Sequence, residues 1–192
     1  MTDLLLTLIS AVLISNLIVQ LPLGIAPVLK AAAGSRAQLH ALGLATTWLM
    51  FTVTLLNHLL YQYLLLPLEL TALRLFVFLP TSLLLIKPSL VLLARLFPKL
   101  NVSGLWPLLA SNAGILGLAL LDAQTEQSLA RAGALGLGAG LGFWLLASLY
   151  QDLRQRISHA DVPQPFRGLP IELISAGLLG VAFLGFNGLI AP

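Results

Sequence analysis

Long uncharged apolar stretches, separated by short polar turns, set the pattern of this chain. Leu4–Leu29, Ala37–Leu68, Leu100–Leu121, Ala132–Gln151 and Leu173–Pro192 hold no Asp, Glu, Lys or Arg. Leu73–Phe97 is apolar apart from Arg74, Lys87 and Arg95. A helix needs about 20 apolar residues to cross the hydrocarbon core of a bilayer. The pattern therefore predicts six transmembrane segments, at about 4–24, 38–64, 72–97, 104–121, 130–150 and 171–190. The turns between them carry the expected chemistry, as in Ala33-Gly34-Ser35-Arg36, Pro67-Leu68-Glu69 and Asn101-Val102-Ser103-Gly104. The longest connection, Asp152–Gly168, is too polar to cross. The chain opens Met1-Thr2-Asp3 without a basic stretch, and no small-residue cleavage site follows the first apolar run, so segment 1 is expected to be a retained helix.

Cation placement gives the orientation. Six crossings put the connections after segments 1, 3 and 5 on one side, with Lys30, Arg36, Arg95, Lys99, Arg154, Arg156 and Arg167. The other side has Arg74 and Arg131. The richer side is expected in the cytoplasm and both termini in the periplasm, across a bacterial inner membrane. Six segments also divide into two halves of three, about 1–99 and 100–192. An odd number per half makes the second enter from the opposite side, which is the arithmetic of an inverted repeat. The fold expected is all-α: one polytopic membrane domain over 1–192, built as two inverted three-helix repeats.

In such folds matching broken helices meet near the membrane midplane. Segments 1 and 4 are the matching pair. Segment 1 contains Pro22-Leu23-Gly24-Ile25-Ala26-Pro27, and segment 4 carries Pro107, Gly114 and Gly117 around Ser111-Asn112-Ala113. Broken helices expose backbone groups and helix ends to a central site; ordinary kinking with small-residue packing is the competing reading. Gly24, Ser111 and Asn112 are the candidates at the breaks, and Asn16 lies on the way into the first. Asn16, Asn57 and Asn112 are expected to hydrogen-bond between helices.

Composition narrows the function classes. The chain is 58% hydrophobic and 9% charged, against about 25% charged in soluble domains, so lipid is the expected surroundings. The formal net charge of +3 comes without a dense basic cluster, which argues against nucleic acid. With no cysteine, the chain has no disulfide and no thiolate for zinc or an iron–sulfur cluster. Gly133–Gly142 is no phosphate loop, because no Lys-Ser/Thr follows; small residues there suit close helix approach. His40 and His58 stand 18 residues apart on one segment, about 27 Å along a helix, too far to share a metal. They are expected to face the membrane interfaces. Lys87 precedes Arg95 by about 12 Å of helix and can snorkel to the cytoplasmic surface or face an ion path or partner. Glu172 fits a helix first turn or an ion path. Asp161 and Arg167, flanking Pro163 and Pro165, can pin their loop or dock a partner.

Specific motifs carry a family resemblance. Ala160-Asp161-Val162-Pro163-Gln164-Pro165-Phe166-Arg167-Gly168 comes first, followed by Ile174-Ser175-Ala176-Gly177-Leu178 and Ala182-Phe183-Leu184-Gly185-Phe186-Asn187-Gly188-Leu189. With Gly43-Leu44-Ala45-Thr46-Thr47, Ser111-Asn112-Ala113-Gly114-Ile115-Leu116-Gly117 and Met1-Thr2-Asp3, they make the chain resemble, end to end, the A-subunit family of the Rnf ion-translocating electron-transport complexes. These proteins are related to the E subunit of Rnf and to the D and E subunits of the sodium-pumping NADH:quinone oxidoreductase. The resemblance implies a membrane core in which the chain pairs with a homologous E-type subunit of opposite topology. It implies a [2Fe–2S] cluster between the two, FMN and further iron–sulfur centres on other subunits, and electron transfer coupled to Na⁺ or H⁺ movement.

Two departures qualify it. The family's cluster cysteines correspond here to Ala26 and Ala113, and a methyl group cannot ligate iron. No cofactor and no metal are therefore expected in this chain. The acid that the family carries after a glutamine in segment 3 is replaced by Ile86-Lys87-Pro88-Ser89. The expected function is a membrane subunit coupling electron transfer to cation translocation, without a complete active site of its own. A redox-inactive scaffold in such a complex and an independent inverted-repeat transporter of small solutes are the alternatives.

Overall fold

The structure, a computed structural model, describes residues 2–13, 16, 20–21, 23–125, 128–157 and 162–186. Helix occupies each of the six expected segments, and the described residues contain no strand. The helices are α1 (Thr2–Leu13), α2 (Ile25–Ala32), α3 (Arg36–Leu60), α4 (Arg74–Leu96), α5 (Leu105–Ala110), α6 (Ala113–Asp122), α7 (Leu129–Arg156) and α8 (Leu169–Leu184). A wide turn, Tyr61–Leu65, extends α3, and a tight turn, Thr71–Leu73, leads into α4. Arg36–Leu65, Thr71–Leu96 and Leu129–Arg156, of 30, 26 and 28 residues, are long and apolar enough to cross a membrane. α1, α6 and α8 are shorter apolar helices.

Segments 1 and 4 differ from the rest in a physically traceable way. Segment 4 is two helices, α5 and α6, parted at Ser111 and Asn112. Segment 1 resumes after Gly24 as α2 and runs to Ala32, past the limit of about 24 expected from hydropathy. Gly24 takes φ 86°, a conformation open to glycine and strained for a residue with a Cβ. Pro80 and Pro88 fall inside α4 without dividing it. Next to Pro80 the hydroxyls of Thr81 and Ser82 donate to the Phe78 carbonyl at 3.0 and 2.6 Å.

The core lies between α3 and α7. Leu39, Leu42, Leu49 and Val53 of α3 are fully buried at helical spacing, as are Phe143, Ala147 and Tyr150 of α7. Glycines let the two backbones approach: a Cβ on Gly136 would stand 3.0 Å from the Phe51 Cα, and one on Gly140 would collide with the Thr47 backbone. On its other side α7 uses Gly138 and Gly142 to seat α1, against Leu8 and Val12. Lipid offers no hydrophobic drive between helices, so close approach of small residues supplies the packing. α4 and α8, by contrast, leave long apolar side chains such as Phe76, Leu84, Leu178 and Val181 exposed.

Candidate functional site

The two breaks meet. A Cβ on Gly24 would stand 2.7 Å from the Asn112 Oδ1, so the first break packs directly on the side chain that starts the second half-helix. Asn112 caps α6: its Oδ1 accepts the Gly114 N–H at 3.0 Å. Its Nδ2 is buried and unpartnered among the described residues. A Cβ on Gly117 would strike the Leu23 side chain, and one on Gly114 would crowd the Asn112 Oδ1 and the end of Met50. Ala26, in the first turn of α2, and Ala113, first in α6, lie within two residues of this contact, and both are exposed on the surface of the chain. Ser111 is exposed as well and donates to the Leu108 carbonyl at 3.2 Å. A cleft of about 270 Å³ opens beside the break, lined on one wall by Leu79, Ser82 and Ile86 of α4 and on the other by Ser111, Asn112 and Ala113.

The remaining candidates are scattered. Asn16 is buried and its Nδ2 donates to the Val12 carbonyl at 2.9 Å; Gly142 leaves room for it. Lys87 is exposed on α4. Glu172, in the first turn of α8, pairs with Arg154, near the end of α7, at 2.7 Å. Arg167 donates from Nε to the Val162 carbonyl at 2.8 Å, inside its own loop. Asp161 lies outside the described residues.

The histidines separate. His40 is exposed and accepts a hydrogen bond from the Trp144 Nε1–H at 3.0 Å. His58 does not face an interface: it is buried, and its Nδ1–H donates to Oδ2 of Asp122, the last residue of α6, at 2.8 Å. The side chains are 7% and 1% exposed. Sequence reasoning missed this pair. Asp122 falls one residue past an uncharged stretch and reads as a turn residue, and a partner 64 positions away leaves no local signature. Beside the pair, the Thr81 hydroxyl donates to the Asn57 Oδ1 at 2.8 Å, linking α4 to α3 as expected for a buried amide.

Chemically, the break is a capped, tightly packed backbone site with poor metal donors. Ala26 and Ala113 present methyl groups, the Ser111 and Asn112 oxygens are engaged locally, and the chain has no thiol. Among the described residues no three His, Asp or Glu side chains gather where they could hold a metal. These donors do not fit a [2Fe–2S] cluster.

Residues 4–190 match the Rnf-Nqr subunit family of membrane proteins. The A subunit of the ion-translocating oxidoreductase complex of Pseudomonas aeruginosa strain LESB58 is 39% identical over 195 residues, covering the whole of both chains. The protein of the same name from Azotobacter vinelandii is 38% identical over the same extent. That of Pseudoalteromonas translucida is 34% identical over 192 residues, 99% of each chain.

Proposed function

This chain belongs to the Rnf-Nqr family of membrane subunits, and from that membership we propose that it is the cation-moving half of a membrane pair from which the usual electron relay has been removed. It is a membrane subunit of an ion-translocating oxidoreductase complex, akin to the A subunits of its relatives. In this reading it sits in the inner membrane with the Lys- and Arg-rich connections in the cytoplasm and both termini in the periplasm. Its halves, about 1–99 and 100–192, are inverted repeats. A homologous E-type subunit of opposite topology covers the surface around Ala26 and Ala113, and flavin and iron–sulfur centres stay on other subunits.

One observation carries the reading: the Gly24–Asn112 contact keeps the two half-helices packed against each other while the neighbouring surface positions, Ala26 and Ala113, offer no ligand. The packing of a central site is retained and the electron relay is not. The same alanines favour a second reading, a scaffold that moves no ion.

Iron analysis and electron paramagnetic resonance on the purified complex test the first. The expected result is that every [2Fe–2S] signal persists when this chain is removed. A signal that disappears only with this chain overturns the reading. Ion uptake by proteoliposomes carrying the complex separates the two readings, since a scaffold leaves uptake intact when the polar residues of this chain are replaced. A reporter at the C-terminus tests the layout, and activity in the cytoplasm contradicts it.

A further inference from the structure

Packing alone does not call for the buried His58–Asp122 pair. Two ionisable groups removed from water are expensive to bury, and hydrophobic residues of similar volume commonly serve stability as well or better. Its surroundings are polar in a directed way. Four side-chain atoms along the same region are buried without a hydrogen-bond partner among the described residues: Asp122 Oδ1, Asn57 Nδ2, Thr54 Oγ1 and Asn112 Nδ2. Buried polar groups are nearly always paired, so such a cluster asks for an explanation beyond the fold.

These atoms form a track. Thr54 stands one turn before Asn57 and His58 on the same face of α3. Met50, a further turn back, is in reach of Gly114 in α6, just as His58 reaches Asp122. Each helix advances eight residues between the two contacts, so α3 and α6 run side by side in the same direction, with Thr54 midway. The track starts at the His58–Asp122 pair, where α3 and α6 end, and reaches Asn112 about 15 Å away by helix rise. There it meets the cleft between α4 and the break. A second link runs through α4, where Thr81 bonds Asn57 and the adjacent Ser82 lines that same cleft.

We propose that the His58–Asp122 pair is a proton-binding site, the place where this protein holds the cation it helps to move. This rests on the translocation reading above and names the ion. The donor set decides between cations. An alkali or divalent cation wants several oxygens around it. Here one carboxylate oxygen is already bonded to an imidazole, the Asn57 oxygen is taken by Thr81, and among the described residues no third acid or histidine joins the pair. A proton needs only what is present. With the Nδ1–H of neutral His58 on Oδ2 of ionised Asp122, one added proton is taken up on the unpartnered Asp122 Oδ1 to give a neutral carboxyl group, and the same proton is given back without electron transfer. The unpartnered amide and hydroxyl groups toward Asn112 can pass it onward where water bridges them.

Among the described residues, the other titratable groups toward this end are Tyr61 and Tyr63 on the wide turn, Glu69 and Arg74 leading into α4, Arg131 at the start of α7 and Asp3 in α1. Among the described residues none makes a hydrogen bond or ion pair with either member of the pair.

The test uses the intact complex in lipid nanodiscs. Infrared difference spectra between acidic and alkaline pH are compared for wild type, Asp122→Asn and His58→Gln, with Na⁺ exchanged for choline. The expected result is a protonated-carboxyl band in the wild type that Asp122→Asn removes, His58→Gln shifts and Na⁺ leaves unchanged. A titrating band that survives Asp122→Asn overturns the proposal, and so does one that responds to Na⁺. If Asp122→Asn fails to assemble, His58→Gln decides: an unshifted band overturns the proposal. Proteoliposomes then separate proton binding from translocation. A complex that builds no gradient sinks the translocation reading, while the infrared band still decides whether the pair binds a proton.

Discussion

The two ends of the helix bundle treat charge in opposite ways. At one end Arg36 of α3 pairs with Asp152 of α7 at 2.6 Å, with side chains 62% and 47% exposed, and Arg154 pairs with Glu172 close by. At the other end His58 and Asp122 make their bond almost wholly buried. Arg36–Asp152 lies at the exposed rim, where an ion pair contributes little beyond what water gives back, while Arg154–Glu172, at 25% and 14% exposure, is partly withdrawn from it. His58–Asp122 stands in a low-dielectric interior, where neither partner is tolerable alone. Pairs of nearly the same length therefore differ in what they are for: one set locates helix ends, and the other concentrates ionisable groups where the packing makes them costly.

Breaking the buried end should have the largest effect. His58→Ala leaves a carboxylate buried without its partner, a loss expected at about 3–5 kcal/mol. Thermal denaturation of the purified protein in detergent reads it, and a variant as stable as wild type would mean that this end is wetter than its burial implies. Between the ends, Gly140→Leu puts a side chain into the Thr47 backbone. Overpacking of this kind is expected to destabilise by about 1–3 kcal/mol and to lower the yield of assembled complex.

Gly24→Ala comes next, at about 1–2 kcal/mol for the left-handed backbone, plus the contact with Asn112. Gly104→Ala is its control, because Gly104 has a similar φ of 78° with nothing within 4 Å of an added Cβ. Equal melting temperatures for the two variants would show that the contact between the breaks contributes nothing. The smallest change is expected from Arg36→Ala at the exposed end, at about 0–1 kcal/mol, shrinking further in high salt. A loss there as large as that of His58→Ala would erase the contrast.

Much of this is readable along the chain. The six apolar segments coincide with helices because a bilayer-spanning helix needs length and apolarity, both visible in one dimension. Gly24 and Asn112 stand out by their neighbours, since prolines, glycines and a capping amide announce a helix break locally. The limit expected for segment 1 falls short because the backbone turns at Gly24 and a further helix then runs from Ile25 to Ala32. His58 reads as an interface residue because position along a helix says how deep a residue lies but not which way it faces.

The sequence by itself determined the solvent, the helical class, the places where helices break and the absence of any thiolate, because each depends on residue type and local spacing. Only the tertiary structure decided that the two breaks touch, that Glu172 answers Arg154, and that His58 meets Asp122 in the interior. Those contacts join residues up to about 90 positions apart. Which faces of α3 and α7 turn toward one another is set by glycine-to-backbone fit across helices, a property of the pair and of neither stretch of sequence alone.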